Sequence, residues 1–330
     1  MPHSRCLVRG SLNIDEFFRI PHIVRPGETI SSSGYDRKPG GKGANQAYAV
    51  ACAGGDVVLD GCIGDDGGWL QKLLADAGVG VQRIRTVQGE VTGRAIIQSV
   101  EADGENSIVL HPGANFVHAP SDRSPNLTSF THVLMQNEIP LAATLAYLRA
   151  SGIARLTTVF NPSPMLAPSE LREFPWDDLT WLIVNEGELE SLLKAFCGTP
   201  QILESGSLRD RAEKELLQLR ECESFRKSVS IICTLGAQGI LFMDQTSGRP
   251  STPEIGYLPA HKLVLALRDT TGAGDCFAGY FVAGMMARKE GERLESILHF
   301  CLAACAMCVE NAGAMESIPS RKDVLARMTA

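Results

Sequence analysis

Residues 133–160, VLMQNEIPLAATLAYLRASGIARLTTVF, decide the fold. Val133–Gln136 reads as a strand, Leu141–Ser151 as a helix and Thr157–Phe160 as a second strand. The unit continues downstream. Strands are expected at Leu182–Val184, Val229–Thr234 and Gly239–Met243, and helices at Glu186–Phe196, Leu208–Glu223, Gly274–Arg288 and Leu294–Glu310. Regular strand–helix alternation predicts an α/β fold, a mostly parallel sheet wrapped by helices. Ligands of such sheets gather at the carboxyl ends of the strands, where loops and helix starts meet.

Upstream of Pro125 the pattern is different. Cys6–Val8 is an opening strand that turns at Gly10-Ser11. From Glu16 to Lys38 the chain is polar, rich in glycine and β-branched residues and free of helical period, which predicts short exposed strands. Gly43–Ala53 is an Ala-rich helix, Val57–Ile63 a buried strand, and Trp69–Ala77 a helix stopped by Gly78. Thr92–Val100 and Ser107–Leu110 read as a strand pair turning at Asp103-Gly104. The expectation is one domain over residues 1–330, with a small β-sheet lid built from about 13–40 and 90–112.

Composition narrows the function classes. Of 330 residues, 44% are hydrophobic and 21% charged, enough to bury a sizeable core. The 38 acidic and 31 basic residues give a net charge of −7 without any dense basic run, which argues against a nucleic-acid partner. The longest nearly apolar stretch, Ile297–Val309, is too short to span a bilayer, so no membrane association is expected. The N-terminus lacks the basic start, apolar segment and cleavage site of a secretory signal. A cytoplasmic location is expected, with a nuclear pool allowed. In a reducing compartment the ten cysteines read as buried thiols. Cys301, Cys305 and Cys308 fall at helical spacing near His299, but their flanks read as core helix rather than a zinc site.

No G-x-x-x-x-G-K-[ST], G-x-G-x-x-G, H-E-x-x-H or G-x-S-x-G is present. The chemistry concentrates elsewhere. Asp269-Thr270-Thr271-Gly272-Ala273-Gly274-Asp275-Cys276-Phe277 is a small-residue turn opening an apolar helix. Glycines let a backbone approach an anion, and the free amides of a helix start point at it. An aspartate beside them can take a hydroxyl proton, the pairing that phosphoryl transfer uses. Helix capping alone would also place Asp and Gly there, but less readily a whole run of Thr, Gly and Ala between two aspartates. The second concentration is Gly40-Gly41-Lys42-Gly43-Ala44-Asn45-Gln46, again at a helix start. Asn13 and Asp15, at alternate positions past the first strand, point the same way and with Asn45 could form a polyol-binding set. Taken singly, each would be ordinary turn chemistry.

In this order, the two motifs resemble the signatures of the ribokinase (PfkB) family of carbohydrate kinases. Asp269–Asp275 looks like the family's C-terminal signature, and Gly40–Ala47 like its N-terminal one, in a spelling most like the members that phosphorylate ribose. Pro26-Gly27-Glu28-Thr29 is similar to the lid segment of those members. The resemblance runs from about Leu7 to Pro319 and weakens through 199–227, where the chain carries extra residues.

The resemblance implies transfer of the ATP γ-phosphate to the 5-hydroxyl of D-ribose. It makes Asp275 the base and Gly272, Ala273 and Gly274 the anion hole. Asn13, Asp15, Gly41, Lys42, Gly43, Asn45 and Glu138 would line the sugar site. Asn185 and Glu188 match an N-x-x-E pattern near the phosphates and Mg2+. Thr234, Leu235, Gly236, Ala237, Gln238 and Gly239 match the nucleotide loop. A monovalent cation, K+, would sit at Asp269, Thr271, Cys308, Asn311, Gly313 and Ser317, several through main-chain oxygens. Arg9 in the first strand has no evident reason, and Leu302 stands where relatives often carry a polar residue near the adenine.

Rivals within the same chemistry are kinases of fructose, 2-keto-3-deoxygluconate or a nucleoside such as pseudouridine; from another class, a non-catalytic sugar-binding regulator. Few aromatics near Asn13 and Asn45 disfavour the nucleoside, and the intact Asp275 and glycine run disfavour the regulator. A homodimer through the β lid is expected, because an outlying sheet leaves apolar faces and edges to cover.

Overall fold

The computed structural model describes residues 4–100, 105–117, 125–198, 206–225, 229–245 and 255–329. The expected turn at Asp103-Gly104 and part of the extra segment at 199–227 lie outside the described residues. The first part of the chain gives β1 (Cys6–Arg9), β2 (Asn13–Ile20), β3 (Gly34–Gly40), α1 (Lys42–Cys52), β4 (Val57–Ile63) and α2 (Gly68–Asp76). Then come β5 (Gly80–Thr86), β6 (Gly93–Val100), β7 (Asn106–His111), β8 (His132–Met135), α3 (Leu141–Ile153), β9 (Thr157–Phe160) and α4 (Pro168–Glu173). The last part holds β10 (Trp181–Asn185), α5 (Glu186–Cys197), α6 (Leu208–Glu221), β11 (Ser230–Thr234), β12 (Ile240–Met243) and β13 (Gly256–Leu258), followed by α7 (Ala273–Ala287), α8 (Leu294–Val309) and α9 (Arg321–Thr329).

The central sheet has nine strands in the order β13-β12-β11-β10-β9-β8-β1-β4-β5. From β5 to β11 every pairing is parallel; β12 and β13 add an antiparallel edge. Every residue of β1, β4 and β8 is buried, because helices cover both faces of the sheet. Side chains alternate across it. Cys6 and Val8 join the apolar layer under α1, α7 and α8, while Leu7 joins the layer under α3, α5 and α6. Trp181 and Phe281, with ring centres 5.0 Å apart, illustrate the first layer; each such buried side chain contributes roughly 1.5–3 kcal/mol. Arg9 now has its reason. It donates to the Asp60 carbonyl at 3.1 Å and lies over the Tyr147 ring, 5.5 Å from its centre.

A second sheet of four strands, β3-β2-β6-β7, stands beside the first. β2 pairs with β6 in parallel, the other two pairs being antiparallel. The two polar excursions expected from the sequence thus form one sheet. At its junction with the central sheet the backbone packs without room for side chains. A Cβ on Gly41 would lie 2.7 Å from the Asn13 amide nitrogen, and one on Gly113 would lie 2.4 Å from the Val91 carbonyl oxygen. Asn115 is buried there. It accepts from the Leu12 amide at 2.9 Å and donates to the Asn13 Oδ1 at 2.8 Å. Among the described residues no helix is long and apolar enough to cross a membrane.

One contact positions the site. α1 crosses α7 where a Cβ on Gly279 would lie 2.3 Å from that of Ala49. The absent side chain lets the two helix axes approach closely, so the starts of both helices come together at the carboxyl edge of the sheet.

Candidate functional site

Asp275 lies in the first turn of α7, 6% exposed, on the floor of a turn whose Gly274 is exposed. Gly272 caps the helix with φ 78°, and a Cβ there would meet the Ala314 carbonyl oxygen at 2.7 Å. Glycine alone meets both demands. The Ala273 amide donates to the Thr270 carbonyl at 3.3 Å and the Cys276 amide to the Gly272 carbonyl at 2.8 Å. Between them, the amides of Gly274 and Asp275 have no acceptor among the described residues, as the first turn of a helix dictates. Nothing lies within 4 Å of where a Gly274 side chain would be. The turn therefore offers bare N–H groups and the positive end of a helix to whatever approaches from solvent.

The N-terminal motif meets this turn directly. Asn45 Nδ2 donates to Asp275 Oδ2 at 3.0 Å, and Gln46 Nε2 donates to Oδ1 at 2.9 Å. The Asn45 Oδ1 is buried without a partner, an acceptor awaiting a donor. Glu138 is a tether rather than a solvated rim residue. Its Oε2 accepts from Ser11 Oγ at 2.6 Å and from the Lys42 amide at 2.9 Å. Asp15 packs against Gly40, where a Cβ would stand 2.2 Å from its carboxylate. Burial, reinforced by the carboxylates of Glu138, Glu316 and Asp275, pushes the Asp15 pKa up to about 7. Burial works against the charge of Lys42, but Asp275, Glu138 and Glu188 outweigh it and hold its pKa above the ordinary lysine value. Asn45 thus touches Asp275, Asp15 and Lys42 feel its charge and that of Glu138, and Gly41 and Gly43 pack against the backbone at Asn13 and Gly10.

On the other side of Asp275, polar residues stand at the carboxyl ends of adjacent strands. Gln136 follows β8, Asn161 follows β9, Asn185 ends β10 and Thr234 ends β11. Asn185 and Glu188 form a capping box on α5: the Glu188 amide donates to Asn185 Oδ1 at 2.8 Å and the Asn185 amide to Glu188 Oε2 at 3.0 Å. Burial still raises the Glu188 pKa despite that bond, so the carboxylate favours a proton or a cation beside it. Past Thr234 and the buried Leu235, Gly236, Ala237 and Gln238 make an exposed turn. It closes at Gly239, where φ is 93° and a Cβ would meet the Leu258 carbonyl oxygen at 2.1 Å. Leu302 lies on the buried face of α8.

Asp269 joins two turns. Its Oδ1 accepts from the Thr271 amide and its Oδ2 from the Gly313 amide, both at 2.9 Å. Burial opposes its charge, but these bonds hold its pKa below the ordinary carboxylate value. Thr271 and Gly313 lie on those turns, with Asn311 and Ser317 close by in the chain. The Cys308 carbonyl already accepts the amides of Glu310 and Asn311, and its thiol contacts Ser317 Oγ at 3.0 Å. Cys305 donates to the Ala273 carbonyl at 3.5 Å, and no cluster of three or more His, Cys, Asp or Glu side chains able to hold a metal occurs among the described residues. Cys301 and Cys308 are buried on α8, but the ten cysteines are not all buried: Cys52, Cys222 and Cys305 are half-buried and Cys197, at the end of α5, is exposed.

Sequence reading did not assign Asn115, Gln136 or Asn161, and quoted Gln46 without a role. For Gln136 and Asn161 the one signal was positional, a polar side chain immediately after a buried strand.

Comparisons with known proteins converge on one family. The family model described as pfkB family carbohydrate kinase matches residues 4–321. The chain is similar to a ribokinase of Haemophilus influenzae, 32% identical over 327 residues that cover 96% of each. It superposes on the crystal structure of a Cryptococcus neoformans ribokinase in complex with ADP with a TM-score of 0.89, at 58% identity, covering 98% of this chain and 99% of the other. An Arabidopsis thaliana ribokinase complexed with ribose and ATP gives a TM-score of 0.81 at 27% identity, with 99% of both chains covered.

Proposed function

Because the chain belongs to the pfkB family of carbohydrate kinases, we propose that it transfers the γ-phosphoryl group of ATP to the 5-hydroxyl of D-ribose, giving D-ribose 5-phosphate. The observation that supports the reading is the meeting at Asp275: its carboxylate, in the first turn of α7, accepts from Asn45 and Gln46 of a motif far away in the chain.

The sugar lies between Asn13, Asp15, Gly41, Lys42, Gly43, Asn45 and Glu138. The orphaned Asn45 Oδ1 accepts from one of its hydroxyls. Asp275 orients the 5-hydroxyl and takes its proton late, since a loose phosphoryl transition state needs little early deprotonation. Gly272, Ala273 and Gly274 form the anion cradle, where the Gly274 amide donates to the oxygens on which charge develops. Lys42, whose charge the surrounding carboxylates favour, faces the same oxygens. The nucleotide rests along Asn185 and the Thr234–Gly239 turn. Glu188, and Asn185 beside it, would hold Mg2+, which supplies charge neutralisation to the phosphates when bound. Asp269, with oxygens of Thr271, Cys308, Asn311, Gly313 and Ser317, would hold K+, which steadies the turn under the cradle. The second sheet acts as a lid over the sugar and keeps water from competing as acceptor.

Exposed Tyr35, Ile108, Val109, Leu110 and Phe116 on and beside that sheet support a homodimer through the lid. A cytoplasmic location completes the reading. The test is a coupled assay of ADP formation with ribose, fructose, 2-keto-3-deoxygluconate and pseudouridine, each with and without K+. Ribose should be turned over best and K+ should activate. Faster turnover of another acceptor would reassign the substrate, and no turnover of any would remove the kinase reading.

A further inference from the structure

The two oxygens of Asp275 are held in different ways. Oδ2 is held by Asn45, whose remaining oxygen is buried with no hydrogen-bond partner among the described residues. Oδ1 is held by Gln46, which is fully buried and has no contact left to offer a ligand. One amide hydrogen of Gln46 goes to Asp275 at 2.9 Å, and its Nε2 also donates to Asn161 Oδ1 at 3.3 Å. Its Oε1 accepts from Gln136 Nε2 at 2.6 Å. Asn161 is itself fixed, donating through Nδ2 to the Ile183 carbonyl at 3.0 Å.

We propose that Gln46 is a positioning residue for phosphoryl transfer, setting the plane of the Asp275 carboxylate, and that Gln136 locks Gln46 in the orientation this requires. The inference rests on the reading of Asp275 as the group that aims the hydroxyl. An ionised carboxylate only accepts, so the face of Gln46 toward Asp275 must be its NH2. That orientation turns Oε1 toward Gln136, which must then present its own NH2. Gln136 Oε1 is left buried with no partner, in the space a side chain on Gly10 would fill. Turning Gln136 over would give that oxygen no donor and would set it against the Gln46 Oε1, acceptor against acceptor. The orphaned acceptor is therefore the cost of a directional relay from the ends of β8 and β9, through α1, to the start of α7. Glycine at position 10 makes the arrangement sterically possible: a Cβ there would stand 2.1 Å from the Gln136 oxygen.

The experiment is a double-mutant cycle read as kcat and KM separately, with thermal unfolding of each variant. Gln46→Leu should lower kcat about 10–100-fold and change KM for ribose little. Gln46→Glu keeps the shape but replaces the donor with an acceptor. It should lose at least as much, whereas a role in packing alone would be rescued by it. Gln136→Leu should lower kcat about 3–10-fold. In an Asp275→Asn background the Gln46→Leu change should have no further effect on kcat, because its action passes through that carboxylate. Equal fold-losses from Gln46→Leu in both backgrounds, or wild-type kcat in Gln46→Glu, would overturn the proposal. Wild-type turnover in Asp275→Asn alone would instead overturn the reading it rests on.

Discussion

The two glycine-rich helix starts look alike in sequence and differ in space. At the start of α1, glycine serves packing. A Cβ on Gly43 would stand 2.5 Å from the carbonyl carbon of Gly10 and from the amide nitrogen of Ser11, and Gly41 is equally confined against Asn13. At the start of α7, Gly272 is confined but Gly274 faces open space, with two unclaimed amides beside it. The same residue type closes backbone on backbone in one place and leaves the surface bare in the other. A motif read only as "glycines near an anion" merges these two jobs.

Substitution separates them. Gly43→Ala sets a methyl against two backbone segments that cannot yield cheaply, so it should cost about 3 kcal/mol or more of stability and most of the soluble yield. Chemical denaturation would check this, and near-native stability would place Gly43 with the open glycine. Gly274→Ala should do the reverse. The melting temperature should stay within about 2 °C of wild type, while kcat falls about 10²-fold because the methyl occupies the anion's approach. Unimpaired turnover would mean the phosphoryl group docks elsewhere.

Asn45 sits between the two regions and should show a mixed effect. Asn45→Ala should raise KM for ribose by tens-fold, since a hydrogen bond to a buried polar group is worth about 1.5–3 kcal/mol when lost, with a smaller fall in kcat from the loosened Asp275. An unchanged KM would put the sugar outside this cleft.

The gentlest probe is pH. The Asp15 carboxyl, with a pKa near 4 in an unfolded chain, titrates at about 7 in the folded one. Between those values the folded state keeps a proton that the unfolded state has released, so stability falls as pH rises from about 4 to 7. The contribution should be on the order of 1 kcal/mol, given partial solvent screening. Comparing unfolding of wild type and Asp15→Asn at pH 5 and pH 8 would reveal it; identical pH dependence in both would remove the effect from Asp15.

The framework was legible in the sequence wherever burial wrote a pattern. β1, β4, β8, β9, β10 and β11 are short apolar runs because both faces are covered, and α7 and α8 are long apolar stretches for the same reason. The reading missed β5, whose GVQRIRT alternates at a sheet edge, and β13, whose three residues carry too little pattern. It also missed α9, which buries only Val324. Local spacing marks the two motifs, and the structure joins them where Asn45 and Gln46 bond Asp275. Asn115, Gln136 and Asn161 were not, because each acts across the fold on a partner distant in sequence, and a lone amide after a strand has no spacing to read. Asn185 and Glu188 carried a second message in plain view: Asn-x-x-Glu is also the signature of a helix cap, and the structure uses it as one.

The crowded glycine junction around Asn13 has a mechanical consequence. The chain passes between the two sheets beside Leu12, Gly41, Gly93 and Gly113, all within the neighbourhood that Asn115 ties together. The four-stranded sheet is therefore clamped at one end, where Asn13, Gly41, Gly93 and Asn115 meet, while Ile20 and Asn106 stand at its other end, away from that clamp.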